Sequence, residues 1–301
     1  MAISQIGNII KKRRLALGLS QEELSDGICA VTTLSRIENG ERMPTQNHLE
    51  MLLQRLGYSE LMFQSYVDEE AFYAHELKFK IRQAYIENKK EEGKILLEEF
   101  KALVKNPSNI DKQFIALNTA LLNQVSMNDE VDLEQLEDAL RLTMPNYDRN
   151  HLPQIMSYEE IVLLNCIAND LAIKNQREES IKTLYGIVRY YDTNVVNTEE
   201  MLRTATMVFY NLSKCLGLEG RYDECIQVCD RGIKLAQNTG RCNCFAQTLF
   251  NKAWSMLKRG QNEDLAEAKK LLHQAKNVAE AMGIDLLAKH IQNFIDENQF
   301  N

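Results

Sequence analysis

Four thiols fall within twenty residues, at Cys225, Cys229, Cys242 and Cys244, which raises the question of a metal centre. Their spacing argues against one. Structural zinc sites pair cysteines two to four residues apart on loops, whereas Cys225 and Cys229 stand one helical turn apart, where a helix core wants a small hydrophobe. No metal site is expected. The five histidines (48, 75, 151, 273 and 290) are scattered and form neither a His-x-x-x-His pair nor a catalytic pattern. The chain also has no Gly-rich phosphate loop and no Gly-x-Ser-x-Gly elbow. No catalysis and no cofactor are therefore expected. One cluster does carry a usable chemistry: Lys11, Lys12, Arg13 and Arg14 form a basic run that can lie along a phosphate backbone.

The elements that would position these residues are helices. All four prolines (44, 107, 145 and 153) fall between amphipathic stretches, and glycine numbers only 13 in 301 residues. With 45% hydrophobic residues, a chain of this length can bury two sizeable cores. The net charge of −8 hides an asymmetry, because residues 1–66 carry seven basic and seven acidic residues and the rest carry all the excess. Met1 to Arg14 lacks the long apolar core of a signal peptide, and no later stretch approaches a membrane span. Seven cysteines, an odd count in a large chain, fit reduced thiols. These features predict a cytoplasmic protein.

In the head, Ile6, Ile10, Leu15 and Leu17 mark a first helix that stops at Gly18. Ser20 and Glu23 form a capping box that starts a second helix, whose buried stripe is Leu24 and Ile28. A third helix follows from about Val31 to Asn39, closed by Gly40, and Pro44 and Thr45 open a fourth with Leu49, Leu52, Leu53 and Leu56 inward. The runs Gly18-Leu19-Ser20-Gln21-Glu22-Glu23-Leu24 and Leu34-Ser35-Arg36-Ile37-Glu38-Asn39-Gly40 resemble the phage-repressor (XRE) helix-turn-helix family. The resemblance implies that Val31, Thr32, Ser35 and Arg36 read bases, Arg36 bidentate to a guanine and Val31 and Thr32 against a thymine methyl. It places Gln21, Thr33, Asn39 and Arg42 on phosphates, with Lys11, Lys12 and Arg13 nearby. Arg14 and Glu38 match a pair that bridges the first and third helices. Ala30 departs from the pattern, since relatives often have a capping Ser there, and the third helix is expected to lack that cap.

Behind Tyr66 about ten or eleven long amphipathic helices follow one another. A small or apolar residue opens the second helix of each hairpin at Gly93, Leu136, Ser180, Cys225 and Ala268, at intervals of 43, 44, 45 and 43 residues. The clearest copy, Phe209 to Ala236, resembles a degenerate tetratricopeptide repeat, with Phe209, Leu212, Gly220, Tyr222 and Cys225 at the signature positions. About five such hairpins would stack into a solenoid with a concave face. The predicted fold is all-α, with a helix-turn-helix domain over 1–66 and a tetratricopeptide-like α-solenoid over 67–301. Asn211 and Asn251 occupy one repeat position, and Asn165 and Asn169 lie a turn apart on the equivalent helix, so amides recur where a peptide backbone could be held. Lys214 would meet a carboxylate, and Tyr210, Gln247 and Phe250 would shape side-chain pockets. The alternative is that these amides are only a solvated helix face.

A repressor-like head on a repeat solenoid resembles the RRNPP quorum-sensing regulators of Gram-positive bacteria, the Rgg, PlcR and PrgX group. The Gly27-Ile28-Cys29 turn also fits that group. The resemblance implies a cytoplasmic homodimer that binds near-palindromic double-stranded DNA and a short imported signalling peptide in the concave groove, with no membrane role. The segment Met62 to Glu76 is the expected hinge. Two alternatives stay open: a regulator whose repeats are only a protein-docking or dimerisation platform without a peptide, and a scaffold like the headless members that bind response-regulator partners.

Overall fold

A computed structural model describes residues 2–57, 69–123, 133–149, 151–194 and 198–298, all helices and connections, with no strand among them. Four helices build the head: α1 (Ala2–Ala16), α2 (Gln21–Ser25), α3 (Val31–Glu38) and α4 (Gln46–Arg55). The capping box is formed, with the Glu23 amide donating to Ser20 Oγ and the Ser20 amide to Glu23 Oε2 at 3.1 and 2.7 Å. Ile10, Leu24, Leu34, Ile37 and Leu52 are fully buried. α2 ends at Ser25, so Ile28 packs against this core from the turn and not from the helix. The break follows from Gly27 at φ +68, a conformation that only glycine takes cheaply. Gly7 serves a different purpose: a Cβ there would stand 2.0 Å from the Ile37 carbonyl oxygen, so the missing side chain is what lets α1 lie against α3.

Eleven further helices form the body among the described residues: α5 (Glu69–Ile86), α6 (Lys90–Leu103), α7 (Asn109–Asn123), α8 (Leu133–Arg141), α9 (Tyr158–Ile173), α10 (Arg177–Thr193), α11 (Glu199–Leu218), α12 (Tyr222–Thr239), α13 (Phe245–Arg259), α14 (Asp264–Ala281) and α15 (Asp285–Glu297). The repeat has a structural basis. Gly93, Leu136, Ser180 and Cys225 are each the fourth residue of α6, α8, α10 and α12, and Ala268 is the fifth of α14. All five are buried. In the clearest copy Phe209 is 4% exposed, and a Cβ on Gly232 would lie 3.0 Å from the Phe209 Cβ, so a bulky ring on α11 requires glycine on α12.

The chain divides into two compact units, Met1–Lys174 with Tyr190–Thr198, and Asn175–Arg189 with Glu199–Asn301. The head thus shares the first unit with α5 to α9. Within that unit charged side chains link the head to the body helices. Arg55 at the end of α4 is 3% exposed, pairs with Glu160 of α9 at 2.8 Å, and donates to the Thr143 carbonyl at 3.3 Å. Lys78 of α5 stands 3.2 Å from Asp111 of α7 and 3.8 Å from Glu50 of α4. Burial works against its charge, yet Glu50, Asp111 and Glu159 outweigh that and hold its pKa above the usual lysine range. Of the expected hinge over residues 62–76, the part up to residue 68 lies outside the described residues; α5 begins at Glu69.

Candidate functional site

The head presents α3 as its reading element. Val31, Thr32 and Arg36 are exposed, Ser35 is half-buried, and Leu34 and Ile37 on the opposite side anchor the helix in the core. Ala30 precedes the helix without any side-chain cap, as the sequence leads one to expect. What fixes the helix instead is Arg14. Its Nε and Nη2 donate to the two carboxylate oxygens of Glu38 at 2.6 and 2.8 Å, while Nη1 donates to the Leu19 carbonyl at 2.6 Å. One guanidinium therefore ties α1, the α1–α2 turn and α3 together, and the Glu38 hydrogen bond raises its pKa.

Asn39 and Arg42 are exposed beyond the end of α3, and Thr33 is half-buried. Gln21 differs from these: its Nε2 donates to Glu38 Oε2 at 2.7 Å, so this amide extends the Arg14–Glu38 bridge. Arg13 is also engaged, its Nε donating to the Leu56 carbonyl at 3.1 Å. The sequence suggests a free cation at Arg13, but the end of α4 leaves an unpaired carbonyl within its reach.

The second unit contains an open groove of about 390 Å³. α11 lines it with Tyr210, Lys214 and Leu218, spaced four residues apart and so on one face of the helix. α13 contributes Gln247, Phe250, Asn251 and Trp254, again a single face. α15 adds Leu287, His290 and Phe294 as a third wall. Phe250 sits at the junction, edge-on to His290 at 5.4 Å and to Phe294 at 5.6 Å between centroids.

Of the groove residues singled out from sequence, Tyr210, Lys214, Gln247, Phe250 and Asn251 meet in this cavity. Asn251 turns its Nδ2 to Ser213 Oγ at 2.9 Å, so it spends a donor on joining α13 to α11. Asn211 is half-buried and is not part of the cavity wall. Asn165 and Asn169 belong to α9 in the first unit. Asn165 is only 5% exposed, contrary to the solvent-facing place expected for it, because α9 is buried around most of its circumference. Trp254 and the α15 wall escaped the sequence reading. Trp254 is visible as the next turn of the Gln247-Phe250-Asn251 face, whereas α15 follows the last repeat and has no counterpart within the period.

The thiols take the structural role. The Cys225 thiol donates to the Ser213 carbonyl at 3.1 Å and accepts from Ser255 Oγ at 3.0 Å, with Cys229 Sγ at 4.0 Å. The hydrogen bond to Cys225, together with burial, pushes the Cys229 thiol well up. No group of three or more His, Cys, Asp or Glu side chains converges as metal ligands among the described residues. No helix among them is long and apolar enough to cross a membrane.

A helix-turn-helix head joined to hairpins of 43–45 residues, with a groove on the leading helices, defines a DNA-binding regulator with a repeat body. Residues 10–63 match the helix-turn-helix family, and residues 88–291 match the RNPP family C-terminal domain. The chain belongs to the RNPP family of transcriptional regulators and is not an enzyme. No curated protein matches it. Among solved structures it is similar to Bacillus thuringiensis PlcR in complex with the peptide PapR7 and DNA, at 18% identity over 96% of this chain and 99% of that one, with a TM-score of 0.59. It is likewise similar to apo ComR from S. thermophilus, at 19% identity over 98% and 99% of the two chains and a TM-score of 0.55. ComR in complex with DNA and its signalling peptide ComS gives 17% identity over 96% and 97%, with a TM-score of 0.51. At such identities the likeness is one of fold.

Proposed function

We propose that the protein is a cytoplasmic homodimer in which residues 1–66 bind near-palindromic DNA and residues 67–301 bind a short signalling peptide and dimerise, the peptide controlling promoter binding. The observation that carries this reading is the groove of the second unit, whose volume of about 390 Å³ falls in the range of ligand pockets, in a chain matched by the RNPP family. PlcR and ComR, both of the same fold, have been captured with a peptide and DNA. Val31, Thr32, Ser35 and Arg36 read bases, and Gln21, Thr33, Asn39 and Arg42 hold phosphates. The peptide sites are Tyr210, Lys214, Gln247, Phe250 and Asn251, which share the groove. Two heads on a two-fold axis double the base contacts that one short helix provides. A peptide acts only by binding one arrangement of the heads better than another.

Selection from a random duplex pool, followed by anisotropy titration of the winning site, tests the head. Arg36→Ala should relax sequence preference, and Arg42→Ala should weaken binding to all sequences alike. Equal effects from the two would remove the division of roles. Sedimentation at micromolar concentration, with and without that duplex, must show a dimer. Co-elution of a short peptide from the native host tests the groove, and a body that never carries one is only a docking platform.

A further inference from the structure

Successive residues of one face are separated by a helical turn, about 5.4 Å, so the groove can be read in levels. The Asn251–Ser213 hydrogen bond puts Lys214 of α11 at the level of Asn251, with His290 of α15 beside Phe250. One turn toward the helix C-termini the lining is apolar: Leu218, Trp254 and Phe294. Gly217 confirms the level, since a Cβ there would touch the Trp254 ring at 3.2 Å. One turn the other way lie Tyr210 and Gln247.

The lysine of this groove is unmatched among the described residues. Lys214 is exposed and forms no ion pair, and no carboxylate lines the groove with it. Lys252, on the same helix as Trp254, shows the ordinary alternative, being held by Asp230 and Glu267 at 2.9 and 3.0 Å. The groove therefore offers a cation and an apolar pocket one turn beyond.

We infer that the groove holds the carboxyl-terminal residue of a peptide. Its α-carboxylate lies on Lys214 Nζ, and its aromatic or large aliphatic side chain lies among Leu218, Trp254 and Phe294. A single terminal residue carries a carboxylate and a large side chain about as far apart as Lys214 and Leu218. The acidic body supplies the selectivity, because in a chain of net charge −8 a carboxylate is tolerated only where a cation is free to meet it. This inference rests on the groove being a peptide site.

The test presents the full chain with two pools of randomised heptapeptides, one made as free acids and one as carboxyl-terminal amides. Retained peptides are sequenced by mass spectrometry and titrated against the emission of Trp254, the only tryptophan. Free acids ending in Phe, Tyr, Trp, Leu, Ile or Met should be retained and should bind at least tenfold more tightly than their amides. Lys214→Gln should reduce that ratio to below twofold with an unchanged thermal midpoint. Peptides retained equally as acids and amides would overturn the terminal anchor while leaving the peptide reading intact. Enrichment of an internal Asp or Glu whatever the terminus would assign the carboxylate to a side chain and overturn it too. If neither pool is retained and Trp254 emission does not move, the peptide reading falls with it.

Discussion

In the first unit Arg14, Arg55 and Lys78 are 6%, 3% and 4% exposed, and each meets a carboxylate from a distant element. In the second unit the long-range pairs Arg177–Glu219, Arg221–Glu178 and Arg259–Asp223 lie along exposed rims, and the interior is filled by small residues such as Cys225, Ala253, Ala268 and Ala275. The two solutions do different work. A buried pair adds little over a well-packed apolar substitute, but it tolerates only one geometry, because misplacing it strands a charge. Arg55 and Glu160 hold α4 against the body in that way. Small residues let helices approach closely and leave the geometry to volume alone, which suits a unit made of similar hairpins.

The difference can be broken or sharpened by substitution. Glu160→Ala leaves the Arg55 guanidinium buried without its partner and should cost about 3–5 kcal/mol in chemical denaturation. Should it cost no more than a rim substitution, the contrast between the units disappears. Cys225→Leu overfills the α11–α12–α13 contact, where the sulfur already touches Ser213 and Ser255, and should cost about 1–3 kcal/mol with no change in the head. Equal destabilisation of both units in hydrogen exchange would show them to be one cooperative block.

Ser20→Ala removes the α2 cap for about 1 kcal/mol. It should also reduce a pH dependence, since the Ser20 amide, which alanine keeps, and the Ser20 hydroxyl, which it lacks, both lower the pKa of Glu23. That stabilisation is fully present above the ordinary glutamate value of about 4.3 and is lost as pH falls through the lowered one. Thermal midpoints of wild type and variant should therefore draw closer on acidification, by the share of the shift that the hydroxyl supplies. Smallest of all, Arg177→Ala, which removes only the rim pair with Glu219, should cost no more than about 1 kcal/mol, and less in high salt.

The capping box, the turn glycines and the positions of Gly93 to Ala268 were legible in the sequence because each depends on neighbours within a few residues or on a repeated spacing. The head bridge Arg14–Glu38 was legible through resemblance. Asn165 was misplaced because a polar residue in an apolar helix reads as surface until the neighbouring helices cover it. Asn251 was placed in the groove, but the donor it gives to Ser213 was not legible. The Arg55–Glu160 pair, 105 residues apart, left no local trace at all.

What the sequence determined by itself is where helices start and stop, which faces are apolar, and that one short rod in the head is shaped like a reader of DNA. Tertiary structure alone decided which polar groups are buried in pairs and which stay open. The groove is the clearest instance, since its three walls come from helices spread over residues 210–294. Local propensity acts over one or two turns, whereas a cavity is the space left when distant side chains of fixed volume have been packed.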